Sequence, residues 1–353
     1  MRRMLPFDHH QLGLNCGSAP IRDVLEYYGL KFTESMCFGL GSGLVFVYHH
    51  SDPETCPDPA YWAPYWSVTG RGWQPYADLA HLLDIRLIVK RGQTAEDSWD
   101  EIRRLIDAGV PVIVDCDRKP LVPYFNQTWD LPPCVASYNF GGHKTIVVGY
   151  DDERATVAVV ENMLPGVWEV PFEAFQASRS SAEYYPSENE WMYIEPLEPT
   201  VPLKDAIPFA IRKVVNRYHS RFWNGAIGLS GLRRFCEEFP HWPELLPPTK
   251  FQATVFMTDL QCNLLSGGGH HRKMYSRFLM ECADLLGDER YVSLARHYAG
   301  LARTWNELNS LMLEGARAGE PRAVFEGERA KGLLQSILDG EAEAAERLEA
   351  LLT

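Results

Sequence analysis

The sequence lacks the marks of a membrane protein, a disulfide scaffold or a nucleic-acid binder. No stretch approaches the run of about 18 apolar residues that a membrane span needs, and Met1 to His10 carries two arginines without the apolar core of a signal peptide. That absence predicts a cytoplasmic protein. The eight cysteines, at 16, 37, 56, 116, 134, 236, 262 and 282, include no C-x-x-C pair and no finger spacing, so neither a disulfide framework nor a structural zinc is expected. The paired histidines at 9–10, 49–50 and 270–271 show no recognised ligand spacing, and no metal is assigned. Positive charge is scarce: 34 Lys+Arg stand against 47 Asp+Glu, and the whole imbalance lies in residues 1–200, the remainder being balanced. Phosphate neutralisation needs a basic surface, so the charge balance argues against nucleic acid as a partner. An acidic first half suits a cationic substrate, or serves only as a solvated face.

A dinucleotide fingerprint is missing as well. The glycine-rich stretch Phe38-Gly39-Leu40-Gly41-Ser42-Gly43-Leu44 runs into an apolar strand, whereas that fingerprint needs a strand before its glycines and a helix after them. These glycines read as a turn where backbone passes close to another element or to a bound acyl chain, with Ser42 a candidate substrate contact.

What is present is enough for two domains. With 353 residues, 46% hydrophobic and 23% charged, the chain can bury a sizeable core. Its first part reads as mixed: helices over 76–84 and 96–108, an apolar strand over 109–116, a hairpin of 141–150 with 156–162, and a strand at 191–194. Three prolines at 196, 199 and 202 suggest a linker. Beyond it, helical spacing over 206–222, 228–239, 249–265, 272–286, 290–313 and 321–352 predicts an all-helical second domain. The expected division is 1–198 and 199–353, an α+β domain followed by a helical one.

One cysteine stands where a helix is about to begin. In Leu14-Asn15-Cys16-Gly17-Ser18-Ala19-Pro20, Pro20 is tolerated only in a first turn, so the helix must start close to Gly17 and Ser18, with Cys16 at its tip. Ile21, Val24, Leu25 and Tyr28 share one face, and Gly29 is placed to end the helix. A thiol at the positive end of a helix is an activated nucleophile when a histidine also approaches; elsewhere it is a small buried hydrophobe. His143 follows two glycines at the start of an apolar strand and is the best available base. Glu161 and Asn162 end the partner strand, and since adjacent strand residues face opposite ways, only one of them can orient the imidazole. The order Cys, His, then acid or Asn, is the papain-like arrangement.

Three motifs, in order, carry a closer resemblance: Leu14-Asn15-Cys16-Gly17-Ser18-Ala19-Pro20, Glu34-Ser35-Met36-Cys37-Phe38-Gly39-Leu40, and Gly141-Gly142-His143-Lys144-Thr145-Ile146. Together they resemble the butirosin biosynthesis protein H N-terminal family, and Ser266-Gly267-Gly268-Gly269-His270-His271-Arg272 is similar to the helical domain commonly fused to it. The resemblance implies a papain-like fold and a cysteine-dependent acyltransferase of natural-product biosynthesis. Such an enzyme moves an acyl or aminoacyl group from the phosphopantetheine arm of an acyl carrier protein to an amine acceptor, with no bound cofactor. It implies Cys16 and His143 as catalytic, Glu161 where the family usually has Asp, and His10 or Gln11 as an oxyanion donor beside the Cys16 N–H. Tyr124 and Trp129, in the aromatic loop 117–140, are candidate walls of the acceptor pocket. Arg212, Lys213 and Arg217, and Arg272 with Lys273, are candidate carrier-binding cations. A homo-oligomer is compatible with the sequence. A peptidase or amidase on the same site, and a non-catalytic binding module on the same fold, are the alternatives.

Overall fold

The computed structural model describes residues 1–50, 66–72, 75–125, 141–183, 186–195 and 201–353. The strands in chain order are β1 (Arg2–Met4), β2 (Leu44–His50), β3 (Trp66–Arg71), β4 (Leu87–Lys90), β5 (Val112–Cys116), β6 (His143–Asp151), β7 (Thr156–Val160), β8 (Trp168–Pro171) and β9 (Trp191–Ile194). The first two helices are α1 (Ser18–Tyr27) and α2 (Glu34–Leu40).

The chain forms two compact units, and neither is continuous in sequence. One comprises Met1–Glu34 with Asp84–Thr200, the other Ser35–Leu83 with Val201–Thr353. The chain enters the second unit for good at Val201, and of the expected linker prolines Pro196 and Pro199 lie outside the described residues. Nothing in composition marks the earlier excursion over 35–83, because the chain leaves the first unit inside α2 rather than through a linker.

The first unit is built on a seven-stranded antiparallel sheet ordered β4-β9-β5-β6-β7-β8, with β1 also paired to β6. Strand β6 is the axis of this sheet. All nine of its residues are buried, as a strand covered on both faces should be. β5 pairs it from Cys116↔His143 to Val112↔Val147, and β1 takes over that edge at Met4↔Gly149. β6 and β7 form the expected hairpin, with β7 ending at Val160 one residue before Glu161. Helix α1 is buried from Ser18 through Leu25, the mark of a helix inside a core. Helix Ala95–Asp107 is amphipathic instead, burying Trp99, Ile102 and Ile106. Its Thr94 side chain caps the Asp97 N–H at 3.1 Å.

The second unit is mostly helical, with the β2–β3 ribbon as its one sheet among the described residues. Its longer helices are Leu203–Tyr218, Gly228–Glu238, Pro248–Asp259, Arg272–Leu286, Glu289–Arg317 and Glu328–Ala350. The periodicity over 321–352 predicts one helix, and the structure has two, Pro321–Phe325 and Glu328–Ala350. The chain turns extended at Gly327 (φ −65°, ψ 156°) to cap the second. The glycine-rich turn read over 38–43 begins later than expected, because Phe38, Gly39 and Leu40 complete α2. Gly39 is required there, since a Cβ would lie 2.1 Å from the Phe278 ring.

Candidate active site

Cys16 sits immediately before α1, half-buried, and the sequence around it dictates that placement. The Asn15 carboxamide oxygen accepts the Gly17 N–H at 2.7 Å and the Ser18 N–H at 3.1 Å, and the Asn15 carbonyl accepts the Ala19 N–H at 2.9 Å. Asn15 therefore serves the donors that open the helix, leaving Cys16 at its positive end. Gly13 leads into the loop because nothing larger fits: a Cβ there would lie 2.2 Å from the Ala19 Cβ.

His143 opens β6 and its side chain is enclosed, 5% exposed. Its Nε2 donates to the Glu161 carboxylate at 2.7 Å, and the ring is also hydrogen-bonded to the Cys16 side chain. With Nε2 committed to Glu161, Nδ1 is the nitrogen left for the thiol. Burial alone would strip the ring of its proton. The Glu161 charge and the Cys16 and Glu161 hydrogen bonds outweigh it and hold His143 at about 9. Glu161 is fully buried, which pushes its carboxyl up, yet the His143 charge and hydrogen bond and the Arg118 charge bring it below the ordinary carboxylate value. The arrangement is a thiol, an imidazole and a carboxylate in series, with the proton favoured on the imidazole.

Asn162 does not compete for the ring. Its carbonyl accepts the Gly13 N–H at 2.6 Å and its Nδ2 donates to the Gly13 carbonyl at 3.2 Å, so it ties the cysteine loop to the end of β7. Cys116, across the ladder from His143, is buried and its thiol is pushed well above the ordinary value, first by burial and then by Asp115 and Glu161. Two thiols thus flank one histidine, and only Cys16 is partly accessible.

Other expected site residues are placed elsewhere. His10 and Gln11 are corrected: His10 Nδ1 meets Asp23 at 2.6 Å and its Nε2 meets the Leu164 carbonyl at 2.9 Å, so both ring nitrogens are engaged away from the thiol. Gln11 is exposed and donates to Glu26 at 3.0 Å. The reason is Asp23, which draws in His10 and Arg22 together at the back of α1. Arg272 is also corrected. It is fully buried and its Nε binds Glu341 at 2.7 Å, so it cannot meet a partner's surface. Arg217 and Lys213 both bind Asp78, Arg217 also donating to the Ser42 carbonyl, while Arg212 and Lys273 are exposed. Ser42 is buried in the second unit in a left-handed conformation (φ 49°), and Tyr124 is exposed on the turn Val122–Tyr124. Trp129 lies outside the described residues. Sequence reasoning missed Asn15 and Glu34. Asn15 carried a readable signal, an Asn just ahead of a helix start.

Among the described residues, no helix is long and apolar enough to cross a membrane. An antiparallel sheet carrying the histidine and carboxylate, with the cysteine at the tip of a buried helix, defines a papain-like cysteine domain. Residues 15–162 match the family described as Butirosin biosynthesis protein H, N-terminal. Residues 173–348 match a domain of unknown function (DUF4872), whose match begins within the first compact unit. No curated protein matches the chain significantly. Among solved structures, a protein described as a C39-like peptidase from Bacillus anthracis is similar at 15% identity and a TM-score of 0.34, over 55% of this chain and 98% of that one.

Proposed function

We propose that this protein is an acyltransferase that carries an acyl or aminoacyl group on Cys16 from a carrier-bound pantetheine thioester to an amine, in natural-product biosynthesis. The observation that supports it most is the Cys16–His143–Glu161 series, in a segment that matches the butirosin biosynthesis protein H N-terminal family. In the first half-reaction the Cys16 thiolate attacks the thioester carbonyl. Collapse of the tetrahedral adduct breaks the bond to pantetheine, whose sulfur leaves with the proton from His143. In the second, an amine attacks the Cys16 thioester, His143 takes a proton from the nitrogen, and the Cys16 sulfur departs as the amide forms. Glu161 holds the ring in register and stabilises its charged form throughout. With His10 and Gln11 committed elsewhere, the Cys16 backbone N–H at the positive end of α1 is the donor assigned to the oxyanion.

For the donor, the exposed stripe on helix Leu203–Tyr218 supports carrier docking. Phe209 is 62% exposed and is followed one turn later by exposed Arg212 and Lys213.

Intact mass spectrometry with a panel of acyl-pantetheine thioesters tests the chemistry. Wild type should gain one acyl mass, Cys16→Ser should not form the thioester, His143→Ala should acylate far more slowly, and an added amine should discharge the adduct as amide. Discharge to free acid even with amine present would make the protein a hydrolase. No adduct from any thioester would leave a binding module.

A further inference from the structure

We propose that Glu34 is a positioning residue for Cys16, clamping the loop that presents the thiol to His143; this rests on the nucleophilic reading of Cys16 above. The Glu34 carboxylate accepts the Asn15 N–H at 2.7 Å, the Leu14 N–H at 3.1 and 3.0 Å through its two oxygens, and the Ser18 hydroxyl at 3.2 Å. These donors bracket Cys16 on both sides in sequence. The loop's other edge is fixed by Asn162, which exchanges two hydrogen bonds with Gly13 and directly follows Glu161. Residues 13–18 are therefore held between two anchors, one continuous with the strand end that orients His143 and the other supplied by Glu34.

A carboxylate is a poor choice for electronic help. Burial pushes the Glu34 carboxyl above its ordinary value, and a negative charge there would disfavour a neighbouring thiolate, so Glu34 assists by geometry. Its bonds to main-chain donors are what a neutral side chain cannot reproduce, since an amide presents one acceptor oxygen and places a donor against the remaining N–H.

The two roles predict shifts of opposite sign. We would measure iodoacetamide alkylation of Cys16 against pH by peptide mass spectrometry, in the full chain, for wild type, Glu34→Gln, Glu34→Asp and His143→Ala. If Glu34 positions the thiol, Glu34→Gln raises the alkylation midpoint toward that of His143→Ala. It also slows alkylation at pH 7 by about tenfold or more, because small misplacements at a reacting centre are costly. A carboxylate that merely sits nearby gives the reverse, a lower midpoint once its charge is removed; that result, or an unchanged midpoint, overturns the proposal. Glu34→Asp keeps the charge and shortens the reach, and decides the question should the Gln variant not fold: a raised midpoint supports positioning, an unchanged one overturns it. A wild-type midpoint already equal to that of His143→Ala would instead overturn the nucleophilic reading of Cys16.

Discussion

At the scale of single residues, the charge state of His143 is the quantity on which the site depends. Glu161 supplies the attraction and hydrogen bond that keep the ring protonated despite complete enclosure. The ring's value is raised from 6.5 to about 9, so its contribution to stability is complete below 6.5 and is lost as pH climbs through about 9. Glu161 is shifted the other way, so its contribution holds above 4.5 and is lost as pH falls through its lowered value. The pair is thus intact from mildly acidic conditions to about pH 9. Glu161→Gln retains a hydrogen-bonding group and removes the charge. The expected outcome is a fall of at least one unit in the His143 titration midpoint, followed by NMR, with Cys16 alkylation at pH 7 slowed by about tenfold or more. An unmoved midpoint would show that Glu161 does not set the charge of the ring.

At the scale of elements, helix Arg272–Leu286 is preceded by an unusual turn. Gly267, Gly268, Gly269, His270 and His271 all have positive φ, from 47° to 105°, a left-handed run in which the two histidines are strained. Packing holds it: Asn306 Oδ1 accepts the Gly269 N–H at 2.7 Å, His271 stacks on Phe38 at 5.2 Å, and His270 stands edge-on to Trp305 at 4.9 Å. The run delivers Arg272 into the core against Glu341, whose carboxylate also accepts from Tyr218 at 2.6 Å and Trp305 at 2.9 Å. Removing one partner of a buried pair leaves an uncompensated charge, so Arg272→Ala should cost about 3–5 kcal/mol in chemical denaturation. Replacing both Arg272 and Glu341 with Met should cost markedly less. Equal losses would mean that the volume, not the charge, matters there. The glycines of this turn are plain in the sequence, whereas the burial of Arg272 is not, because a cation after a glycine-rich stretch looks like a surface group until a remote carboxylate is brought to it.

At the scale of the whole molecule, charge is unevenly spread along the chain. The acidic excess lies in residues 1–200, and the exposed Phe209–Arg212–Lys213 stripe belongs to the balanced remainder. If that stripe receives the carrier, Arg212→Glu with Lys213→Glu should raise KM for a carrier-bound donor about tenfold, more at low salt, and leave KM for a free pantetheine thioester unchanged. Equal effects on both donors would remove the stripe from donor recognition.

The sequence by itself determined the local facts: where α1 begins, that Cys16 stands at its tip, that β6 and β7 form a hairpin, and that His143 and Glu161 lie at the same end of it. These follow from proline and glycine chemistry and from short-range periodicity, which act within a few residues. Tertiary structure alone decided which of Glu161 and Asn162 meets the imidazole, that Asp23 draws His10 away from the thiol, and that Glu34 closes on the loop eighteen residues before it. It also decided that residues 35–83 join the helical unit. Each of these depends on groups distant in sequence meeting in space, and no pattern within a single element encodes such a meeting.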